Sequence, residues 1–169
     1  MADANHGAGT PDTPGARTRE KVSEKLGVLI LERGLLSKDD LEEVEHRVQW
    51  LNEPLDRLIL QESLLEESVL IGLLSEVSGI PVTTSIHTEI DPTVVDRVPA
   101  RVATHYNVMP LREEDGVLVL AADRVFDPKE EDQIRIVVGT HVRWKLCRPL
   151  EVVECVKHYY GVGIDTFLG

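Results

Sequence analysis

A chain of 169 residues with 42% hydrophobic and 28% charged side chains has the make-up of a globular protein and enough length to bury a proper core, as one domain or two small subdomains. Its formal net charge of -12 would repel a phosphate backbone, and no cluster of Lys and Arg interleaved with aromatics offsets that locally, so nucleic acid is an unfitting partner. Apolar runs such as Gly27 to Leu31 and Val117 to Ala122 fall far short of the roughly 20 residues that span a bilayer, and the N-terminus has no signal-peptide core. With only Cys147 and Cys155 there is no disulfide framework, and the expectation is a protein of the reducing cytoplasm.

Residues 1–17 are rich in Ala, Gly, Thr, Asp and Pro without apolar periodicity, which predicts a disordered tail. From about Thr18, Val22, Leu26, Leu29 and Ile30 fall at helical spacing, and Gly34 is placed to close that helix. Ser37 followed by Asp40 resembles a capping box opening a second helix, with Leu41, Val44, Val48 and Leu51 on its inner face and Glu42, Glu43, Glu45 and Arg47 on its polar side. Pro54 begins another such unit, in which Leu55, Leu58 and Ile59 face inward and a helix bearing Val69, Leu70, Leu73, Leu74 and Val77 ends at Gly79-Ile80-Pro81.

The two units are one pattern written twice. Leu26, Leu35-Leu36, Leu41, Val44 and Val48 recur 29 residues later as Leu55, Leu64-Leu65, Leu70, Leu73 and Val77, a period that signals tandem supersecondary units. Amphipathic hairpins that cannot bury their apolar faces singly should close on each other as a four-helix layer. After a polar crossing from Thr83 to Glu89, Asp91-Pro92 reads as an N-cap with proline at the first helical position, and the helix that follows is interrupted near Pro99. Val108 to Leu111 and Gly116 to Ala122 form a predicted β-hairpin with Asp115-Gly116 in its turn and Arg112 to Asp115 as a solvated connection. Asp127-Pro128 starts a helix to Val138, and Thr140 to Arg148 alternates as a half-buried strand. Pro149 opens a last helix with Leu150, Val153, Val156 and Tyr160 inward. The fold class is α+β, with tandem helical hairpins in a four-helix layer over 18–82 and a small three-stranded sheet covered by helices over 83–162. Residues 163–169 then read as the start of a linker.

The motif Lys25-Leu26-Gly27, Ile30-Leu31, Gly34-Leu35-Leu36 and Leu41 resembles the signature of the N-terminal, MshEN-type domain of GspE/PilB ATPases, the motors of type II secretion and type IV pilus assembly. The resemblance extends through Gly79-Ile80-Pro81, Asp91-Pro92, Val98-Pro99 to Leu111, Val117 to Asp123 and Tyr159-Tyr160-Gly161-Val162-Gly163. It implies a docking or regulatory domain that meets the cytoplasmic part of an inner-membrane platform protein, a pilus regulator or the ATPase hexamer, peripheral to the inner membrane through those partners.

In that family some copies of the doubled motif bind cyclic di-GMP through an Arg-Leu-Gly opening, a second glycine and a distal glutamine. A guanidinium fork grips phosphate or guanine, and glycine lets a flat base reach the backbone. The resemblance would place such a ligand on Lys25, Leu26, Gly27, Leu31 and Gly34. Here, however, Lys25 replaces the arginine and Gln49 lies one residue beyond the expected glutamine, where Val48 stands. The second copy has Pro54, Asp56, Ser63 and Val77 at the four polar or glycine positions. What both copies keep are the leucines, which packing alone demands, so a structural bundle without nucleotide is the favoured reading and a cyclic di-GMP sensor the alternative.

No Gly-Lys dipeptide occurs anywhere, so the chain lacks a P-loop and no ATPase activity is expected of it. Cys155 and His158 stand three apart on the last helix without a convincing third ligand, and no metal site is expected. No Ser or Cys sits in a strained strand-to-helix turn, and no catalytic residue is assigned. Asp123 occupies the place of an acidic residue that the family often puts after its second strand. The acidic face carrying Glu42, Glu43 and Glu45 is the expected partner-binding surface.

Overall fold

The computed structural model describes residues 14–161, with the side chains of 20–161. Most of the expected tail, 1–13, and the expected linker, 163–169, lie outside the described residues. Residues 14–17 are helical, because the first helix α1 spans Pro14–Glu32 instead of starting at Thr18. Proline fits the first turn of a helix, where its missing N–H has no partner to lose, and Ala16, Arg17, Glu20 and Lys21 favour helix without needing an apolar face.

Contacts divide the chain into two compact units, one running to Glu66 and including Phe126–Glu131, the other holding Glu67–Val125 and Asp132 onward. The first unit contains α1, α2 (Lys38–Leu51) and α3 (Leu55–Gln61), each packed on the other two. Its core is Leu26, Ile30, Leu41, Val44, Leu55, Leu58 and Ile59, all buried. Each such aliphatic contributes about 1.5–3 kcal/mol on full burial, more than a helix cap does. The leucines therefore carry the hairpin.

The repeat is legible in the backbone. In the first copy Arg33 N donates to Leu29 O at 3.0 Å, Gly34 N to Leu31 O at 3.1 Å and Leu35 N to Ile30 O at 3.0 Å. In the second, Glu62 N donates to Leu58 O at 3.0 Å, Ser63 N to Leu60 O at 3.1 Å and Leu64 N to Ile59 O at 3.0 Å. Ser37 caps α2 as expected, its Oγ accepting from Asp40 N at 3.0 Å. Leu51 does not join the inner face and is 54% exposed. It is the last helical residue before Asn52, whose left-handed φ of 56° turns the chain away.

The fold class is α+β, but the fourth helix, α4 (Glu67–Ser78), is grouped with the second unit rather than with a four-helix layer ending at 82. Leu70, Ile71, Leu73 and Leu74 are all buried on it, which spreads its apolar surface over two adjacent faces. A helix of that kind needs more cover than a hairpin partner supplies.

In the second unit, 3-10 turns at Ile86–Thr88 and Pro92–Arg97 lead into α5 (Ala100–Tyr106) and a sheet of β1 (Val108–Glu114), β2 (Val117–Ala122) and β3 (His141–Leu146) in that order. β1 and β2 are antiparallel with a bulge between Pro110 and Arg112, and β2 and β3 are parallel from Val117↔His141 to Ala122↔Leu146. The parallel crossover runs through α6 (Pro128–Val138). Asp115 and Gly116, with φ of 52° and 80°, make the tight turn alone. Arg112, Glu113 and Glu114 are thus strand residues paired to Val119, Leu118 and Val117, correcting the solvated connection expected there.

The last helix, α7 (Pro149–Tyr160), packs on β1 and β2. Its buried stripe is Val152, Cys155, Val156 and Tyr160, whereas Leu150, expected inward, is 53% exposed. Residues 152, 155, 156 and 160 follow the helical period, and Leu150, two positions before the stripe begins, falls on the other side. Tyr160 Oη donates to the carbonyl of Val95 at 2.8 Å inside this core.

Candidate functional site

The first-copy motif sits in the middle of α1, and the fold separates its members. Leu26 is fully buried and Gly27 lies against α2, so neither presents a surface to a ligand. Lys25 is exposed, Leu31 is 43% exposed, and Gly34 closes the helix at φ 64°. A Cβ placed on Gly27 would come within 2.9 Å of Glu45 Oε2, which shows that the Glu45 carboxylate lies across the glycine. A base seeking the backbone there would meet a negative charge first.

Beside this motif lies a groove of about 420 Å³ between α1 and the α2–α3 connection. Its walls include the carboxylates of Glu20, Glu24 and Glu53 together with Val48, Gln49 and Pro54. Gln49, the displaced glutamine, and Pro54, which stands where the second arginine is expected, therefore do come together. Lys25 is not among the lining residues, and among the described side chains no Lys or Arg is. At about 6 Å each carboxylate opposes a phosphate by on the order of 1 kcal/mol even in water-like dielectric.

The second copy has equally changed its chemistry. Pro54 begins α3 with no side-chain cap, Asp56 is buried, and Ser63 holds the left-handed conformation that Gly34 holds in the first copy. Val77, at the position of the distal glutamine, is half-buried on α4.

Of the expected docking residues, Glu42, Glu43 and Glu45 are exposed on α2. Arg47 on the same helix is held by Glu62 in a two-point ion pair, with Nη2 to Oε1 at 2.7 Å. That pair neutralises part of the acidic surface. Sequence reasoning passed over Trp50, which is 78% exposed near the end of α2. The signal was present in the helical period, since position 50 points half a turn away from the stripe of Leu41, Val44 and Val48. It also passed over Glu20, Glu24 and Glu53, which no local motif connects.

In the second unit Asp123 is buried and its Oδ1 accepts from Arg124 Nε at 2.9 Å. Burial pushes the thiols of Cys147 and Cys155 above the ordinary cysteine range, with the Glu151 carboxylate adding to the effect. Both are poor nucleophiles and poor metal ligands in that state. Among the described residues no group of three or more His, Cys, Asp or Glu is placed to hold a metal ion, and no helix is long and apolar enough to cross a membrane.

Hairpin turns duplicated at 29 residues and a mixed three-stranded sheet place the chain in a class of small α+β modules with solved relatives. MshE, in a structure with cdg, has the same fold at a TM-score of 0.68 and 18% identity, over 80% of this chain and 98% of that one. The N-terminal domain of XpsE matches at a TM-score of 0.68 and 19% identity, over 82% of this chain and 96% of that one. The chain belongs to the MshEN domain family, whose model matches residues 78–165. That span begins where the second hairpin ends.

Bacteriophage adsorption protein B of Escherichia coli (strain K12) is 26% identical over 152 residues, 89% of this chain and 20% of that protein. The type IV pilus assembly ATPase PilB of Myxococcus xanthus (strain DK1622) is 22% identical over 154 residues, 88% of this chain and 27% of that protein. The chain thus spans 20% and 27% of the length of these two relatives.

Proposed function

We propose that this chain is a non-catalytic docking and regulatory module of a type II secretion or type IV pilus assembly ATPase. In this reading it works at the cytoplasmic face of the inner membrane, presenting a surface to the cytoplasmic part of a platform protein or a pilus regulator. The pilus ATPases among its relatives supply the setting. The observation that supports the reading is the replacement of the motif's polar anchors in both copies. Lys25 stands apart from a groove walled by Glu20, Glu24 and Glu53, and the second copy offers Pro54 and a buried Asp56 in place of arginine and glycine.

The second reading, a cyclic di-GMP sensor, is favoured by the likeness to MshE solved with cdg and by the retained Gly27 and Gly34. Isothermal titration of the chain with cyclic di-GMP separates the two. The expected result is no saturable heat at micromolar protein. Tight binding that Lys25→Ala removes would install the sensor reading instead.

A further inference from the structure

The sheet of the second unit ends on one side in an edge that is only partly covered. β3 is an outer strand in the order β1-β2-β3 and the least buried of the three. Cys147 N donates inward to Ala122 O at 2.9 Å, while Leu146 turns the other way, its N–H donating to Pro81 O and its carbonyl accepting from Thr83 N, both at 2.8 Å. Those bonds fix the alternation along the strand, so Val142, four residues before Leu146, directs its N–H and C=O to the same outer side. Among the described residues that side of β3 carries one bridge, Val82 to Leu146. The bridge covers one end of the edge, and beyond it His141 and Arg143 are exposed and Val142 is half-buried. An open edge is a template for a further strand, which gains a backbone hydrogen bond at each outward group.

Charge and period select the occupant. Between Asp132 and Glu151 the chain has Arg135, Arg143, Lys145 and Arg148 and no acidic residue, although its net charge is -12. His141, Arg143 and Lys145 alternate onto one face of β3, with Val142 and Trp144 on the other. Arg143 donates to Glu114 through Nη1 at 3.0 Å yet keeps 54% of its side chain exposed, so a second carboxylate can reach its fork. A strand laid beside β3 therefore fits best with acidic residues opposite Arg143 and Lys145 and β-branched residues on the other face. A second copy of β3 would set Arg143 and Lys145 against like charges, which cross-strand pairing disfavours. We infer that the open edge of β3 takes up an extended segment of a partner protein in which acidic and β-branched residues alternate. The inference rests on the docking reading for its setting, and it places the contact on β3 rather than on Glu42, Glu43 and Glu45.

The probe is a designed peptide of roughly nine residues alternating Glu and Val, the length of one strand, beside the same pattern in Lys and Val. Each is titrated into the whole chain while amide exchange is followed residue by residue by NMR. The Glu peptide should bind saturably and slow exchange of the Val142 N–H by roughly tenfold or more, because that group gains an acceptor. The Lys peptide should not bind. A fully N-methylated Glu peptide, which keeps the charges and loses every backbone donor, should not bind either. Arg143→Glu should weaken binding by roughly tenfold, whereas Arg135→Glu on α6, an equal change of net charge, should leave it within about twofold. Val142→Pro removes the outward N–H without touching the bonds to β2, a substitution that edge strands tolerate, and should abolish binding. Circular dichroism checks that this variant keeps its structure, and the methylated peptide tests the same bonds in the unaltered chain.

Binding of the methylated peptide as tight as the parent's, or saturation without slower Val142 exchange, would overturn the added strand and leave only diffuse attraction. Val142 exchange that slows as the chain alone is concentrated would give the edge to a second copy and overturn the inference too. A platform or regulator protein whose affinity for the chain is unchanged by Val142→Pro would sink this inference and spare the docking reading. Peptide binding at the edge with no such protein captured would do the opposite.

Discussion

Ser63 adopts at φ 54° the left-handed conformation that Gly34 adopts at 64°, 29 residues earlier and with the same three hydrogen bonds closing the helix. A side chain in that region costs roughly 1–2 kcal/mol, which glycine does not incur. The second copy therefore holds its turn against a local penalty, through the buried Leu58 and Ile59 that precede it. Ser63→Gly should raise the unfolding free energy by about 1 kcal/mol in chemical denaturation, and Gly34→Ala should lower it by a similar amount. A Ser63→Gly variant no more stable than the parent would show that the serine side chain contributes to the turn.

Gly27 lies within α1, where glycine is worse than alanine by about 1 kcal/mol. The atom nearest to an added Cβ is Glu45 Oε2, the far end of an exposed, flexible side chain, and the next contacts, Leu41 and Leu55, are at an ordinary 3.9 Å. Gly27→Ala should accordingly be neutral or stabilising by up to about 1 kcal/mol, with Glu45 swinging aside. A loss larger than that, measured by the same denaturation, would mean that α1 and α2 need the bare backbone to approach.

Leu41 and Leu70 are equivalent positions of the repeat, 2% and 0% exposed, each in the core of its own unit. Truncating either to alanine should cost about 2–5 kcal/mol, the range for a leucine cavity that cannot collapse. Losses near zero at both would remove the repeat from the core.

Glu89 anchors the loop before the sheet to β1 and β3. Burial alone would push its carboxyl up, but hydrogen bonds from Thr83 and Arg112 and the charges of Lys145 and Arg112 outweigh it and hold the group below the ordinary glutamate range. The Arg112 and Lys145 nitrogens lie at 2.9 and 3.6 Å from Oε1. A carboxyl depressed in the folded state stabilises the fold above its unfolded value of 4.5, and that contribution is lost as pH falls through the lower folded value. Thermal melts of the parent should lose stability more steeply below about pH 4.5 than those of Glu89→Gln, whose melting point is already lower at neutral pH. Parallel slopes for the two proteins would show that the network does not hold the charge.

What was legible in the sequence was local. The 29-residue period, the Ser37 cap, the helix stop at Gly34 and the Asp115-Gly116 turn each rest on contacts a few residues apart, so spacing and residue type alone specify them. The α+β class and the family resemblance were readable for the same reason. Within the candidate site, the replacements at Lys25, Pro54, Asp56 and Ser63 could be read directly.

Tertiary structure decided everything that depends on residues far apart in the chain. Glu20 and Glu53 are 33 positions apart and meet only because α1 packs beside the α2–α3 connection. Arg47 on α2 pairs with Glu62 beyond α3, and Thr83, Glu89, Arg112 and Lys145 converge only once the strands pair. The placement of α4 is likewise a choice between apolar surfaces. Hydrophobic burial is not directional, so a leucine-rich helix carries in its sequence how much surface it must cover but not which surface covers it.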